Sequence, residues 1–218
     1  MSAQVTSTIP EKIPLVKLED EQVRYEGERL NYIGRVFITK YGEGQRGIWE
    51  YAKVRDPSQV YLSVALIAKD AASDQNVLII KKEKHLSTHE GTALVGLHFE
   101  LIDDAVKEYP QEAISIISAK FGIKSENLEV VTASPSAYYT DPWKSDEKVK
   151  TVVLKTSLKI DVSSLPKDET HQYFSIPLID GVQALIDLAK KEDTAIDCDI
   201  YQLLYGLSIG IALQGLSA

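Results

Sequence analysis

Two apolar runs constrain this chain more than any other feature: Val60-Tyr61-Leu62-Ser63-Val64-Ala65-Leu66-Ile67-Ala68 and Val77-Leu78-Ile79-Ile80. Both are apolar at almost every position rather than at alternate ones, the pattern of strands buried on both faces. The polar stretch between them, Asp70 to Gln75, is suited to closing a hairpin. Upstream, Tyr32 to Lys40 is β-branched and aromatic, and Tyr41-Gly42-Glu43-Gly44-Gln45 is a turn signal. Gly47 to Val54 then forms the return strand of a hairpin.

Downstream the pattern mixes helices with strands. Thr92 to Val95 is a short strand. Tyr109 to Phe121 is a helix, with Ala113, Ile117 and Phe121 at i, i+4 and i+8, Ile114 widening the stripe and Gly122 stopping it. Strands follow at Leu128–Val131 and Val149–Ile160, separated by a turn-rich loop from Ser134 to Lys148. Tyr173–Ile176 leads past Pro177 into a helix from Ile179 to Lys191, and a last helix runs from about Asp197 to Leu213. The expected fold class is α+β, an α/β/α sandwich in which helices flank a mixed sheet. Residues 1–24 read as a flexible tail, 25–56 as a small N-terminal strand module and 57–218 as the main domain.

Charge and cysteine content narrow the function. The 24 Lys+Arg against 32 Asp+Glu give a net charge of −8, which argues against nucleic acid or an acidic membrane as the general partner. A single cysteine, Cys198, rules out an internal disulfide and a multi-thiolate metal site, fits a reducing compartment, and reads as a small core residue. The first ten residues lack the basic and apolar regions of a secretory signal. The apolar tract Ile200–Leu213 is interrupted by Gln202, Tyr205 and Ser208 and is shorter than the ~20 residues of a membrane span. The expectation is an intracellular protein, cytoplasmic or nuclear.

The usual chemical motifs are missing. His85, His89, His98 and His171 show no metal-ligand spacing, and no nucleophile-elbow, Walker or dinucleotide glycine pattern occurs.

A resemblance carries more. Glu100-Leu101-Ile102-Asp103-Asp104, a short loop, and a Pro-initiated helix ending in Phe121-Gly122-Ile123 resemble the loop–helix signature of Nudix hydrolases. More narrowly they resemble the eukaryotic ADP-ribose (ADP-sugar) pyrophosphatases, which carry Leu-Ile-Asp-Asp directly after the first glycine of the Nudix box. Trp49-Glu50-x-x-Lys53 resembles the strand that sets an aromatic against adenine. Asp141-Pro142 followed by Ser145 resembles the family's Asp-Pro-Gly-x-Ser loop. Glu169 through Pro177, a helix and Asp197-x-x-x-Tyr201 resemble its C-terminal third, so the likeness spans about residues 25–210. It implies the Nudix fold and a homodimer formed through the N-terminal strands.

The departures bear on activity. The box reads G-x5-E-x7-R-E-U-x-E-E-x-G-U, and its glutamates hold divalent cations that polarise a pyrophosphate and activate water. Registered on Gly122, the Arg-Glu pair is Ser115-Ile116 here and the Glu-Glu pair is Ala119-Lys120, while the opening glycine is Glu100. Isoleucine, alanine and lysine supply no carboxylate oxygen for magnesium. The family's strand-end arginine is Val54, and its Arg-Pro-Pro is Lys84-His85-Leu86, which removes bidentate phosphate donors.

Glu169 matches the position of a loop glutamate that serves the family as catalytic base, and it is the remnant catalytic candidate. The ligand-binding candidates are Trp49, Glu50, Lys84, Lys120 and Asp141; Lys120 places an ammonium where a cation would sit. No cofactor and no metal are expected. Three readings stand side by side: an inactive Nudix-fold adaptor with an unidentified protein partner, a nucleotide sensor, and a pyrophosphatase. In the last, Glu169, Asp103, Asp104 or Glu100 would take over magnesium.

Overall fold

The computed structural model of the protein describes residues 17–26, 30–38, 46–54, 56–84, 90–139, 145–165 and 171–216. The chain divides into two compact units, Met1–Pro57 with Tyr139–Glu147, and Ser58–Tyr138 with Lys148–Ala218.

The first unit is built on an antiparallel sheet of β1 (Lys17–Glu26), β2 (Leu30–Ile38) and β3 (Arg46–Val54), in that spatial order. β2 pairs with β3 from Leu30 against Val54 to Ile38 against Arg46, the hairpin expected from sequence. β1 is a correction: residues 17–24 read as tail, yet Lys17 to Glu26 pair with Ile38 to Asn31. The acidic run Glu19-Asp20-Glu21 hides the strand, because its partner is chosen by β2 and not by local propensity. Within this unit Val54 N–H donates to Asp146 Oδ1 at 2.6 Å and Asp146 N–H donates to Ala52 O at 3.2 Å.

In the second unit the chain continues through β4 (Gln59–Asp70), β5 (Asn76–Lys84), β6 (Thr92–Val95), β7 (His98–Asp103), α1 (Tyr109–Phe121) and β8 (Glu129–Ala133). Then come β9 (Tyr138–Tyr139), β10 (Lys148–Ile160), β11 (His171–Pro177), α2 (Gly181–Glu192), β12 (Ala195–Ile196) and α3 (Cys198–Leu216). Among the described residues these strands form one mixed sheet. β10 runs parallel to β4 along one edge, from Val149 beside Tyr61 to Lys155 beside Ile67. The other edge of β4 is shared. Its first half pairs with β7 and its second half with β5, both antiparallel. β5 in turn holds β11 on its far side and β6 beyond the end of β4.

Both faces of β4 and β5 are covered, as the unbroken apolar runs require. Leu62, Val64, Leu66 and Ile79 pack with Ala113 and Ile117 of α1. Ala65, Leu78 and Ile80 pack on the opposite face with Leu185 of α2 and Ile200 and Leu204 of α3. The result is the α+β arrangement expected from sequence, a mixed sheet with helices on both sides. No described helix is long and apolar enough to cross a membrane.

Several local expectations shift. The sequence reading assigns no strand to His98–Asp103; as β7 it pairs with β4 and extends the sheet to Asp103. α2 begins at Gly181 rather than Ile179, because Asp180 sits in the left-handed region at φ 58°. Gly181 allows a close approach there: a Cβ would stand 3.0 Å from Leu204 Cδ2, and the leucine would have to give way. Cys198, expected in the core, is exposed at the start of α3. Leu204 of α3 is wholly buried and Leu203 packs against the same core, whereas Tyr201, Tyr205 and Ile209 face outward.

Gly122 closes α1 at φ 66°, and a Cβ there would meet nothing within 4 Å. The cost of a side chain is therefore backbone strain alone. Gly122→Ala is expected to destabilise the protein by about 1 kcal/mol in urea denaturation.

Candidate functional site

The segment singled out by sequence, β7 through α1, is organised around a buried lysine. Lys150 rises from near the start of β10, beside Leu62 of β4, on the face that α1 covers. Its side chain is only 7% exposed. Its Nζ donates to Asp104 O at 2.6 Å and to Val106 O at 3.4 Å, and lies 3.1 Å from Asp104 Oδ1. The ammonium also stands 5.1 Å from the centre of the Tyr109 ring, a cation–π distance. Tyr109 in turn donates its hydroxyl to Ser134 O. One cation thus ties the loop before α1 and the first residue of that helix to the sheet.

The loop acids are committed within this network. Asp103 Oδ1 accepts from Ala105 N–H at 2.8 Å, closing a turn on its own backbone. Asp104 faces Lys150 and, at 3.9 Å, Lys148. Two ammonium groups thus already balance the charge of Asp104.

On α1 the four positions singled out by the sequence resemblance, Ser115, Ile116, Ala119 and Lys120, divide by burial. Ile116 is 9% exposed and belongs to the core cluster with Ala113 and Ile117. Ser115, Ala119 and Lys120 are exposed. Ser115 Oγ donates to Gln111 O at 3.1 Å, a bond along its own helix. Lys120 lies in the last turn, where a cation complements the helix dipole. From Ser115 to Phe121 the helix offers no carboxylate, and a hard cation needs oxygen ligands, so these positions do not fit magnesium; the acid of α1, Glu112, is exposed in its first turn.

The other sequence candidates are dispersed or undescribed. Lys84 is exposed at the end of β5. Trp49 and Glu50 lie on β3 opposite Arg35 and Gly34, and Glu100 on β7 opposite Leu62; their side chains fall outside the described residues. Asp141, Glu169, His85 and His89 also lie outside them. Lys150 was missed altogether, although a lysine inside Val149-Lys150-Thr151-Val152-Val153-Leu154 is a visible signal. A cation in an apolar strand must find partners.

Among the described residues one group has metal-ligand proximity: Asp197, Cys198 and Asp199 each bring one donor atom within 4.8 Å of the others. It lies where α3 begins, on the opposite face of the sheet from α1. Asp199 N–H donates to Asp197 Oδ1 at 2.8 Å. Burial, followed by the Asp197 charge, raises the Asp199 carboxyl above its usual range, and the Cys198 thiol opposes this. Desolvation and the two flanking carboxylates push the Cys198 thiol up, so it is a poor nucleophile at neutral pH.

No protein-family model matches the chain, and no curated protein matches it. Solved structures do. The chain is similar to the crystal structure of an ADP compounds hydrolase, at 14% identity and TM-score 0.49 over 84% of this chain and 98% of that one. It is also similar to a Nudix hydrolase from M. smegmatis, RenU, at 12% identity and TM-score 0.42 over 82% and 96%. A C. elegans Ap4A hydrolase in a binary complex gives 15% identity and TM-score 0.42 over 70% and 96%.

The Lys150 network has a measurable strength. Lys150→Met leaves two loop carbonyls without their donor and is expected to cost about 1–3 kcal/mol in urea denaturation. Lys148→Met removes only a half-exposed contact and is expected to change stability by less than about 0.5 kcal/mol.

Proposed function

We propose that this chain is a Nudix-fold pseudoenzyme, a dimeric adaptor or complex subunit inside the cell that acts by binding rather than by hydrolysis. The Nudix assignment rests on the order and spacing of the sequence signatures over residues 25–210. The loss of chemistry rests on one observation about α1. The positions that the resemblance assigns to metal-binding carboxylates are a core isoleucine, an exposed alanine and an exposed lysine. The Nudix reaction needs divalent cations held on that face to polarise the pyrophosphate and generate the attacking water.

The loop acids that would have to replace them in a rearranged site are otherwise engaged. Asp104 neutralises Lys150, and Asp103 closes its own turn. Recruiting Asp104 to a metal would strip a buried ammonium of its counter-charge, which is costly. The N-terminal sheet is the proposed dimerisation element, through the strand module that the resemblance assigns to that role. A retained capacity to bind a nucleotide such as ADP-ribose through Trp49, Glu50, Lys84 or Lys120 would make the protein a sensor within the same reading.

The test is a calorimetric titration of the full chain with ADP-ribose, with and without magnesium, and an assay of the same samples for AMP. No AMP release in either condition is expected. Magnesium-dependent AMP release abolished by chelator would overturn the reading and direct attention to Glu169 and Glu100.

A further inference from the structure

On the face of the sheet opposite α1, a cavity of about 300 Å³ opens between the strands and the first turns of α3. That volume lies at the lower end of small-molecule pockets. Its apolar walls are Ala65, Leu78, Ile200 and Leu203. Its polar groups are Ser63, Thr151, Tyr138, Asp199 and Gln202. No lysine, arginine or histidine among the described residues lines it.

Two of the polar groups leave hydrogen-bonding capacity unused. Ser63 is 8% exposed. Its hydroxyl has no hydrogen-bond partner among the described residues, although it lines the cavity beside Thr151 of the neighbouring strand. A buried hydroxyl without a partner costs free energy that a ligand atom would recover. Asp199, half-buried, accepts only a weak thiol donor, Cys198 Sγ at 3.7 Å from its Oδ1. The Tyr138 and Thr151 hydroxyls, by contrast, satisfy each other at 2.7 Å on the rim.

We propose that this cavity is a binding site for a small organic ammonium ion with an apolar, aromatic-sized body. Its charged end pairs with the Asp199 carboxylate, and a polar substituent reaches the Ser63 hydroxyl. The lining gives the sign of the ligand: a carboxylate inside a partly apolar wall attracts a cation and repels a phosphate or carboxylate. The apolar walls select a hydrocarbon body over a bare metal ion or a polyol. The site is independent of α1 and of the Nudix reading, since its probes carry no phosphate.

The probe is tyramine, with 3-(4-hydroxyphenyl)propionate as its carboxylate counterpart of similar shape. Both are titrated into the ¹⁵N-labelled full chain and followed by amide chemical shifts. Expected are saturable tyramine shifts centred on residues 63–65, 138, 151 and 199–203, with the carboxylate at least about tenfold weaker. Asp199→Asn is expected to lower tyramine affinity about tenfold or more, and Ala65→Leu, which fills the cavity, to abolish binding. Absence of saturable tyramine shifts would overturn the proposal. So would equal binding of the two probes, or unchanged affinity in a folded Asp199→Asn protein. Should either variant fail to fold, the comparison of the two probes on the unmodified chain decides alone.

Discussion

The second unit depends on how β4 divides its two edges. One edge is given over to β10 in parallel, and the other passes from β7 to β5 partway along the strand. A strand shared in this way has neighbours on both edges and must also bury both faces, which leaves little room for a polar residue in its interior. Leu62, Val64 and Leu66 meet that demand toward α1, while Ala65 meets it toward α2 and α3. The exception is Ser63, and it is where the cavity opens. Placement of β7 against the first half of β4 also sets where the chain leaves the sheet, and so where α1 begins.

Lys150 follows from the same geometry. A lysine on a strand beside β4 rises into the layer under α1, where an ammonium without partners would carry a large desolvation cost. Two loop carbonyls, the Asp104 carboxylate and the Tyr109 ring meet that need. The loop before α1 is thereby held by a protein cation. In the proposed reading this is the physical content of the lost metal chemistry. The positive charge at this loop belongs to the fold, and the helix face beside it has been given over partly to packing through Ile116.

Sequence reading succeeded where one physical signal dominated locally. The doubly buried strands, the helix stopped by Gly122 and the hairpin of β4 with β5 all depend on periodicity or on a turn, and all stand in the structure. It failed where a partner distant in sequence decides. β1 carries an acidic run and becomes a strand only by pairing with β2, and β7 becomes one only by pairing with β4. At the candidate site, the placement of Ser115, Ile116, Ala119 and Lys120 on α1 was legible because spacing on a helix is local. The roles of Lys150, Asp104 and Ser63 were not, since each depends on which strand lies alongside.

The central claim is that the β7–α1 segment has no affinity for the divalent cation that Nudix chemistry needs. Titration of the ¹⁵N-labelled protein with Mn²⁺ tests this directly, because a bound paramagnetic ion broadens the amides around it. The account predicts no saturable broadening between residues 98 and 122. Saturable broadening centred on residues 103–120, reversed by excess Mg²⁺, would contradict it.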